Sequence, residues 1–245
     1  MIIPVTMREA HRAGLRHYLA TGELNVLNRR KELTAVRRDG TPLPVEVRVS
    51  PLSIDGKTIF SAFLHDITER KQVEAIREHE ATHDPLTGLL NRRGMFDLLS
   101  QAIARVKRTR ASLALLFIDL DGFKQINDTH GHEAGDAVLR EVAARLQASI
   151  RQTDTAVRLG GDEFTVILEN IKHGIPDANM LAQKILETLQ HPIQLDSVTA
   201  TISASIGISM HHPDDERSAD QLVSAADSAM YTAKHAGKAQ VCIHK

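Results

Sequence analysis

Apolar and polar positions near the start of the chain predict a helix followed by antiparallel strands. Residues 8–20 have the apolar spacing of a helix, and Gly22 supplies a stop signal. Alternation with a period of two is typical of half-buried strands. Three such runs follow, over residues 32–37, 45–49 and 58–65. Because Asp-Gly pairs at 39–40 and 55–56 separate these runs, the pattern predicts two β-hairpins.

The segment 69–83 is charged and contains no glycine or proline, which predicts a helix that connects two parts of the chain. Its apolar positions are few, with Ile67 just before it and then Val73 and Ile76. They leave two interpretations open, a solvated single helix or a two-stranded coil that transmits a signal to the next domain.

From residue 84 onward, helix-spaced and strand-like runs alternate, which predicts a domain of mixed helices and strands. Helices are predicted over 94–108, 134–150, 178–189 and 218–235. Strands are predicted over 112–120, 155–159, 163–168 and 200–210. Gly160 and Gly161 join two of these strands in a tight turn. The chain is therefore expected to divide into a segment 1–68, a linker helix 69–83 and a larger domain 84–245.

Composition indicates a globular protein and excludes several other classes. With 245 residues and 42% apolar content, the chain can form one domain with a substantial core and a smaller companion. Its 30 basic and 31 acidic residues nearly cancel, so affinity for anionic ligands must come from local clusters. No nucleic acid partner is expected from this balance.

Cysteine usage and apolar content indicate a reducing compartment and no membrane segment. Cys242 is the only cysteine in the sequence, which excludes an intramolecular disulfide and a cysteine-built zinc site. The longest apolar run, 113–118, is far shorter than the roughly 20 residues that span a bilayer. Since the N-terminus also lacks a signal-peptide pattern, a cytoplasmic protein is expected.

The most informative stretch for chemistry covers residues 158–164. Gly160 and Gly161 permit positive φ angles, and the adjacent carboxylates of Asp162 and Glu163 follow them at a hairpin tip. Such carboxylates could hold Mg²⁺, which takes one or two carboxylates together with substrate phosphates. A further carboxylate is therefore expected from elsewhere in the chain.

Asp119 is the candidate for that further carboxylate. It ends a predicted buried strand, and Asp121 lies two residues on along the same side. Taken alone, such a pair of aspartates is also typical of a helix cap or a turn. Together with the carboxylates at 162–163, it predicts a metal site.

Four ordered motifs resemble those of GGDEF domains, the family of diguanylate cyclases. They cover 84–93 (DPLTGLLNRR), 117–128 (FIDLDGFKQIND), 131–136 (GHEAGD) and 160–164 (GGDEF). The resemblance implies an α+β fold of the nucleotidyl-cyclase palm type, with a central, mostly antiparallel sheet flanked by helices. It also implies an enzyme that uses Mg²⁺ or Mn²⁺ to condense two GTP molecules into cyclic di-GMP, releasing two pyrophosphates. Because each domain holds one GTP, the active species is expected to be a homodimer.

The resemblance also implies which residues hold the metal and move the proton. Asp119, Asp162 and the Leu120 carbonyl would ligate the ion, with Glu163 available to a second ion. One of the two signature carboxylates, Asp162 or Glu163, would receive the proton of the attacking 3′-hydroxyl group. Lys124, expected beside the phosphates, would stabilise the developing negative charge as a point cation.

The same resemblance assigns the residues that bind GTP. Asn127 and Asp136 would read the guanine, because the aspartate accepts from a ring N–H and an amino group that adenine does not offer. The other residues assigned to the substrate are Phe123, Lys124, His132, Lys234 and Lys238. Lys238 stands where the family usually has arginine, and Ala239 where it usually has asparagine. Lysine keeps the charge but loses the bidentate fork, so phosphate affinity is expected to fall modestly.

Arg151 and Asp154 lie upstream of the signature at the spacing of the family's inhibitory product site. Arginine can bind guanine O6 and N7 in a bidentate manner, while aspartate accepts from the opposite edge of the base. An isolated RxxD pair is more often a surface ion pair. Its spacing from the signature 160–164 is what favours a site at which cyclic di-GMP, the product, also acts as inhibitor.

Residues 1–68, with the closing run 64–70, resemble the C-terminal half of a PAS sensor domain. The first two strands of a complete PAS sheet are missing, so the expectation is either a fragment or a degenerate sensor. His11 lies where haem-binding PAS domains have their proximal histidine, but ordinary PAS sequences often have a histidine there too. Haem is not expected, since half of the pocket is absent.

Two other functions compete with catalysis. A GGDEF domain that has lost its activity could serve as a binding module for GTP or cyclic di-GMP. Such domains typically lose a metal carboxylate or a signature residue, whereas this chain retains Asp119, Asn127, Asp136, Asp162 and Glu163. An autonomous small-molecule sensor is the other alternative, and the missing half of the PAS segment disfavours it.

Overall fold

The computed structural model describes residues 3–21, 30–55, 57–195 and 198–244. The chain forms two compact units, Met1–Glu78 and His79–Lys245. Gly22, the predicted helix stop, and Gly56, in the second predicted hairpin turn, lie outside the described residues. Within the described ranges, no helix combines the length and the apolar character that a membrane span requires.

The N-terminal unit is built on a three-stranded antiparallel sheet. Its elements are α1 (Arg8–Thr21), β1 (Lys31–Val36), β2 (Pro42–Ile54), β3 (Lys57–Asp66) and α2 (Thr68–Thr82), whose last residues belong to the second unit. The strand order β1-β2-β3 confirms the predicted hairpins. Asp39 fixes the first turn, because its Oδ1 accepts hydrogen bonds from the Thr41 N–H and hydroxyl groups at 2.9 and 2.7 Å.

A small apolar core holds this unit together. Ala35, Val45 and Ile67 are buried, and Tyr18 packs edge to face on Phe60 with 5.2 Å between ring centroids. Several large apolar side chains of β2, β3 and α2 are exposed, among them Leu52, Ile54, Ile59, Phe63, Val73 and Ile76. Burial of apolar area is the main stabilising contribution to folding, and this unit buries few apolar side chains. Its stability from apolar burial is therefore smaller than that of the second unit.

The second unit is a five-stranded sheet covered by helices. Its helices are α3 (Arg92–Thr109), α4 (Phe123–His130), α5 (His132–Ser149), α6 (Ile175–Gln190) and α7 (Ala219–His235). Its strands are β4 (Ser112–Asp121), β5 (Thr155–Gly160), β6 (Glu163–Ile171), β7 (Ile193–Leu195), β8 (Val198–Ala200), β9 (Ser203–His211) and β10 (Val241–Ile243). The main sheet has the order β10-β9-β4-β6-β5, and β10 pairs with β9 in parallel while the other pairings are antiparallel. The predicted α+β fold with a mostly antiparallel sheet is confirmed.

The central strand β4 is apolar on both faces and is buried on both. Leu113 and Leu115 pack into a core with residues of α3 and α7. Leu116 and Ile118 point to the opposite face, into a core with residues of α5 and α6. Because the strand is covered on both sides, it carries Asp119 into a position where only 6% of the residue is exposed.

Glycine at position 207 lets α7 pack directly on β9. A Cβ atom there would lie 2.1 Å from both the Ala226 carbonyl oxygen and the Met230 nitrogen. Both are backbone atoms of a packed helix, which cannot move aside cheaply. Gly207 therefore fixes α7, and with it Lys234, against the sheet.

Three short features are absent from the sequence predictions. The second half of the motif 117–128 lies in α4, whose eight residues are too few to show a helical period. The single strand predicted over 200–210 is wrong at its start, because β8 ends at Ala200 and pairs with β7 in a separate two-stranded sheet. The strand β10, at the edge of the main sheet, has three residues and gives no periodic signal.

Candidate active site

Three carboxylates lie at one end of the central sheet. Asp119 of β4 is the direct cross-strand partner of Glu163 of β6. Asp162 precedes Glu163 in the hairpin turn, and its carbonyl oxygen accepts a hydrogen bond from the Leu120 N–H at 3.2 Å. The two halves of the predicted metal site are therefore adjacent, although 43 residues separate Asp119 from Asp162 in sequence. Leu120 is buried in the core by its side chain, so its contribution to a ligand would come from the backbone.

The glycines of the hairpin take up conformations that other residues disfavour. Gly160 has φ 137° and Gly161 has φ 56°, and both angles lie in regions that L-residues with a Cβ rarely adopt. A Cβ atom at either position would meet no atom within 4 Å. The conformation explains the glycine pair, and the open space leaves the turn accessible to a ligand.

Arg158, just before the glycines, ties this hairpin to the first motif. Its Nη1 donates to both carboxylate oxygens of Asp84 at 3.0 and 3.1 Å, and its Nη2 donates to the Gly161 carbonyl oxygen at 2.9 Å. Asp84 also accepts from the Thr87 N–H and hydroxyl groups. Burial raises the pKa of Asp84, but the hydrogen bonds from Thr87 and Arg158 outweigh burial and lower it overall. These contacts of Arg158 were not predicted from the sequence. The available signal was that Asp84 opens the motif 84–93 and Arg158 precedes the motif 160–164.

Lys234 of α7 forms an ion pair with the buried Asp119. The lysine Nζ lies 2.8 Å from Asp119 Oδ1. Burial raises the pKa of the Asp119 carboxyl group even though Lys234 opposes the rise, and the charge of Asp162 adds to it. Burial lowers the pKa of Lys234, but the neighbouring Asp119 more than compensates and raises it. The lysine therefore remains charged and offsets part of the negative charge at this end of the sheet.

Glu163 is less buried than Asp119 and has a different basic neighbour. Burial raises the pKa of Glu163, and Arg92, whose Nη2 lies 3.7 Å from Glu163 Oε2, opposes the rise. Asp119 and Asp227 add negative charge that raises it further. Arg92 belongs to the first motif, but sequence reasoning gave it no role. A glutamate with a raised pKa is a better proton acceptor than an ordinary one.

The residues at this end of the sheet fit a hard divalent cation. Asp119 Oδ1 is buried and, within the described residues, has no hydrogen-bond partner of standard geometry, so the Lys234 ion pair is its main compensation. Carboxylate and carbonyl oxygens are the ligands that Mg²⁺ and Mn²⁺ prefer. Across the described ranges, no three acidic, histidine or cysteine side chains already converge on a metal-sized point. Binding of an ion would thus require Lys234 or the hairpin carboxylates to adjust.

The predicted guanine-binding residues lie on α4 and α5, which follow β4 directly. Asn127 lies on α4 and Asp136 on α5, and both are partly exposed. A Cβ atom at Gly135 would lie 1.9 Å from Asn127 Oδ1 and 3.3 Å from the Phe123 ring. The two helices therefore pack through a position where only glycine leaves room for the Asn127 amide.

The other predicted substrate residues differ in how they can contribute. Lys124 and His132 are exposed on the same two helices. Phe123 is buried in the core, with 8% of the residue exposed, so its backbone rather than its ring is available to a phosphate. Lys238 lies in the loop 236–240 after α7, where its own φ is 63° and that of Ala239 is 47°.

Arg151 and Asp154 lie at the opposite end of β5 from the Gly160 turn. Asp154 accepts from the Arg151 N–H at 3.2 Å and from the Glu169 N–H at 3.3 Å, which fixes its carboxylate in the turn. Both residues line a cavity of about 360 Å³ together with Lys184 and apolar side chains of α6. The structure therefore does not bring this pair to the three carboxylates but gives it a separate cavity.

Comparison with known proteins agrees with this geometry. Residues 81–240 match the family model described as diguanylate cyclase, GGDEF domain, and residues 4–69 match a model described as PAS domain. The diguanylate cyclase TpbB of Pseudomonas aeruginosa is 39% identical over 218 residues, which cover 87% of this chain and 49% of that protein. An uncharacterized signaling protein of Caulobacter vibrioides is 42% identical over 204 residues, which cover 81% of this chain and 25% of that protein. The chain thus spans between a quarter and a half of these two relatives.

A solved structure extends the likeness to three dimensions. The coiled coil and GGDEF domain of DgcB from Caulobacter crescentus, determined in complex with c-di-GMP, matches with a TM-score of 0.65 and 28% identity. The match covers 71% of this chain and 91% of that one.

Proposed function

Because this chain belongs to the GGDEF domain family, as its four motifs predicted, we propose that it is a diguanylate cyclase that condenses two GTP molecules into cyclic di-GMP. The observation that carries the proposal is the adjacency of Asp119 and Glu163 across β4 and β6, with Asp162 in the turn between β5 and β6. The residues 81–240 that match the family model contain all three.

In the proposed reaction, the 3′ oxygen of one GTP attacks the α-phosphorus of the other. A bond forms between that oxygen and phosphorus, the bond to the β-phosphate oxygen breaks, and pyrophosphate leaves. Repetition with the roles of the two nucleotides exchanged closes the ring, so that two pyrophosphates are released for each cyclic di-GMP. We assign acceptance of the 3′-hydroxyl proton to Asp162 or Glu163, and the raised pKa of Glu163 supports that assignment.

The proposed cofactor is Mg²⁺ or Mn²⁺, held by Asp119, Asp162 and the Leu120 carbonyl, with Glu163 available to a second ion. When bound, such an ion lowers the pKa of the 3′-hydroxyl group and offsets the negative charge at the reacting phosphorus. The buried and incompletely bonded Asp119 Oδ1 supports this assignment. Lys234 would then exchange its contact with Asp119 for the triphosphate.

The remaining residues are proposed to bind and orient the nucleotide. Asn127 and Asp136 read the guanine, and an adenine in their place would leave the Asp136 carboxylate without its two donors. Lys124, Lys234 and Lys238 neutralise the phosphates, with the Phe123 backbone and His132 beside them. The support for these assignments is that α4 begins two residues after β4, α5 packs on α4 at Gly135, and Lys234 at the end of α7 pairs with Asp119.

Catalysis in this proposal needs two copies of the chain, because each domain presents one GTP and the two nucleotides must meet.

We propose that the segment 1–68 serves as a sensory PAS-type part, residues 69–83 as a linker helix and 84–245 as the catalytic domain. The helical structure of α2 over Thr68–Thr82 is consistent with a linker that joins two such copies.

The proposal is tested by incubating the purified protein with GTP and Mg²⁺ and identifying the product by chromatography and mass spectrometry. We expect cyclic di-GMP and pyrophosphate in a ratio of one to two from GTP, and no cyclic dinucleotide from ATP under the same conditions. A protein freed of bound nucleotide that binds GTP but forms no cyclic product would instead be a binding module.

We further propose that cyclic di-GMP inhibits the enzyme through Arg151 and Asp154. The support is the 360 Å³ cavity that they line and the exposed Arg151 side chain. A bidentate arginine contact with a base is worth about 1–3 kcal/mol, so Arg151→Ala should raise the concentration of cyclic di-GMP that halves the rate by about 5- to 150-fold.

The measurement is the initial rate at increasing added cyclic di-GMP, with Arg140→Ala as a matched control. Arg140 is an exposed arginine of α5 that lies outside this cavity. Equal inhibition of wild type and Arg151→Ala would show that the product acts elsewhere.

A further inference from the structure

Asp121, the last residue of β4, connects three separate parts of the second unit. Its Oδ1 and Oδ2 accept from the Ser205 hydroxyl group at 3.0 and 3.1 Å, and Oδ2 also accepts from the Ala239 N–H at 3.1 Å. Ser205 is fully buried on β9, whereas Ala239 lies in the loop after α7. The carboxylate therefore links β4 and β9 to the loop after α7, at a residue 118 positions further along the chain.

The loop 236–240 is held in an unfavourable conformation. Gly237, Lys238 and Ala239 have φ angles of 121°, 63° and 47°, and the last two are positive values in residues with a Cβ. Other bonds hold its neighbours, since the Lys238 N–H donates to the Ala233 carbonyl oxygen at 3.1 Å and the Gln240 carbonyl oxygen accepts from the Ile206 N–H at 3.0 Å. The hydrogen bond to Asp121 holds Ala239, which lies between Lys238 and Gln240.

Alanine at position 239 makes the loop dependent on that bond. Asparagine tolerates left-handed backbone and can form hydrogen bonds to its own backbone, whereas alanine offers neither advantage. In this chain the conformation of residue 239 must therefore be stabilised from outside, and the Asp121 carboxylate is the group that does so. A hydrogen bond to a charged acceptor is among the stronger ones in proteins.

We propose that Asp121 is a positioning residue, which holds the loop 236–240 so that Lys238 stays with Lys234 at the end of the sheet that contains Asp119. The proposal rests on the proposed function, since it assigns Lys238 to the phosphates of the substrate. Asp121 lies two residues beyond Asp119 on the same face of β4, so a loop attached to it adjoins the carboxylate site. Asp121 acts through the backbone of Ala239 and touches no substrate.

The test compares Asp121→Ala and the conservative Asp121→Asn with wild type and with Asp97→Ala, which removes an exposed carboxylate of α3. Loss of one charge-assisted hydrogen bond corresponds to about a tenfold change in an equilibrium. We expect an apparent KM for GTP about tenfold higher in Asp121→Ala and a smaller increase in Asp121→Asn. The kcat and the Mg²⁺ concentration at half-maximal rate should stay within about threefold in both. A lower kcat with an unchanged KM would overturn the proposal.

A double-mutant cycle with Lys238→Ala tests whether Asp121 acts through the loop. If it does, the two substitutions remove the same contribution, and the double variant binds GTP only slightly more weakly than the worse single variant. Fully additive effects on KM would overturn the proposal.

A GTP analogue with a methylene group between the α- and β-phosphates separates this proposal from the proposed function, because it cannot release pyrophosphate. Its dissociation constant, measured by calorimetry, should rise about tenfold in Asp121→Ala even if wild type forms no product. Unchanged analogue binding would refute the role of Asp121. Absence of product from wild type, with weaker analogue binding in Asp121→Ala, would refute the cyclase alone.

Discussion

Asp119→Asn is expected to lower the rate of cyclic di-GMP formation by about 10³-fold, the order of effect that loss of a metal-binding charge at a reacting centre produces. Asparagine has nearly the same shape as aspartate, so the two cores around β4 should stay packed. What changes is the charge of a residue that is 6% exposed and whose Oδ1 has Lys234 as its ion-pair partner. The defect should therefore fall on the chemical step and on the requirement for Mg²⁺.

The measurement is the initial rate at saturating GTP over a range of Mg²⁺ concentrations, with Asp97→Asn as the control. Asp97 is an exposed aspartate on α3, so its replacement should leave the rate unchanged. Thermal unfolding of both variants checks that the fold persists. A rate of Asp119→Asn within tenfold of wild type would remove Asp119 from the proposed metal site.

Asp136→Ala is expected to reduce the preference for GTP over ATP by about 100-fold or more, since sites built to pair a substrate's donors discriminate strongly against analogues that lack them. Gly135→Ala should have the same kind of effect for a different reason. Its new Cβ would lie 1.9 Å from Asn127 Oδ1, so the Asn127 amide must turn away. The amide is the end of a side chain, and it can move without unfolding the helices.

The ratio of kcat/KM for GTP to that for ATP, measured by pyrophosphate release from each nucleotide, tests both variants. Ala134→Ser, one residue before Gly135 and partly exposed, is the matched control. An unchanged ratio in Asp136→Ala would mean that the guanine is read elsewhere. An unchanged ratio in Gly135→Ala alone would exclude Asn127 from base recognition.

Long periodic elements of the fold were predictable from the sequence, and short ones were not. The helix α7 is long enough for its apolar spacing to be recognised, and the strand β4 for its continuous apolar run to be recognised, against a random pattern. The helix α4 has eight residues and two buried side chains, Phe123 and Ile126, which do not define a period. The edge strand β10 gains its structure from pairing with Ile206 to Ile208 of β9, a tertiary contact that no local pattern records.

The candidate site was predictable as a set of residue types but not as a set of contacts. The glycines at 160–161 indicated a tight turn beside the carboxylates of Asp162 and Glu163, because glycine is the residue that most readily adopts the positive φ angles of such turns. The ion pair between Lys234 and Asp119 joins residues 115 positions apart, and the Arg158–Asp84 pair joins residues 74 apart. Such partners depend on how the sheet and helices pack, so the structure was needed to find them.

Burial likewise corrected the picture of individual residues. Phe123 and Lys124 are neighbours in one motif, but the ring of Phe123 is part of the core and Lys124 is exposed. Asp119 and Asp121 are two residues apart on one strand, yet Asp121 is bonded to Ser205 and Ala239 while Asp119 faces Lys234. Residues that lie close together in one motif thus differ in burial and in bonding partners, because the neighbouring strands and helices surround each of them differently.

The carboxylates at the end of β4 and in the Gly160 turn are proposed to form one metal-dependent cyclase site. The most direct measurement is the rate of cyclic di-GMP formation from GTP and Mg²⁺ by wild type and by Asp162→Ala, both stripped of bound product. We predict measurable synthesis by wild type and a loss of about 10³-fold in Asp162→Ala, with the fold intact. Equal synthesis by the two proteins, or none by wild type, would show that these carboxylates do not form such a site.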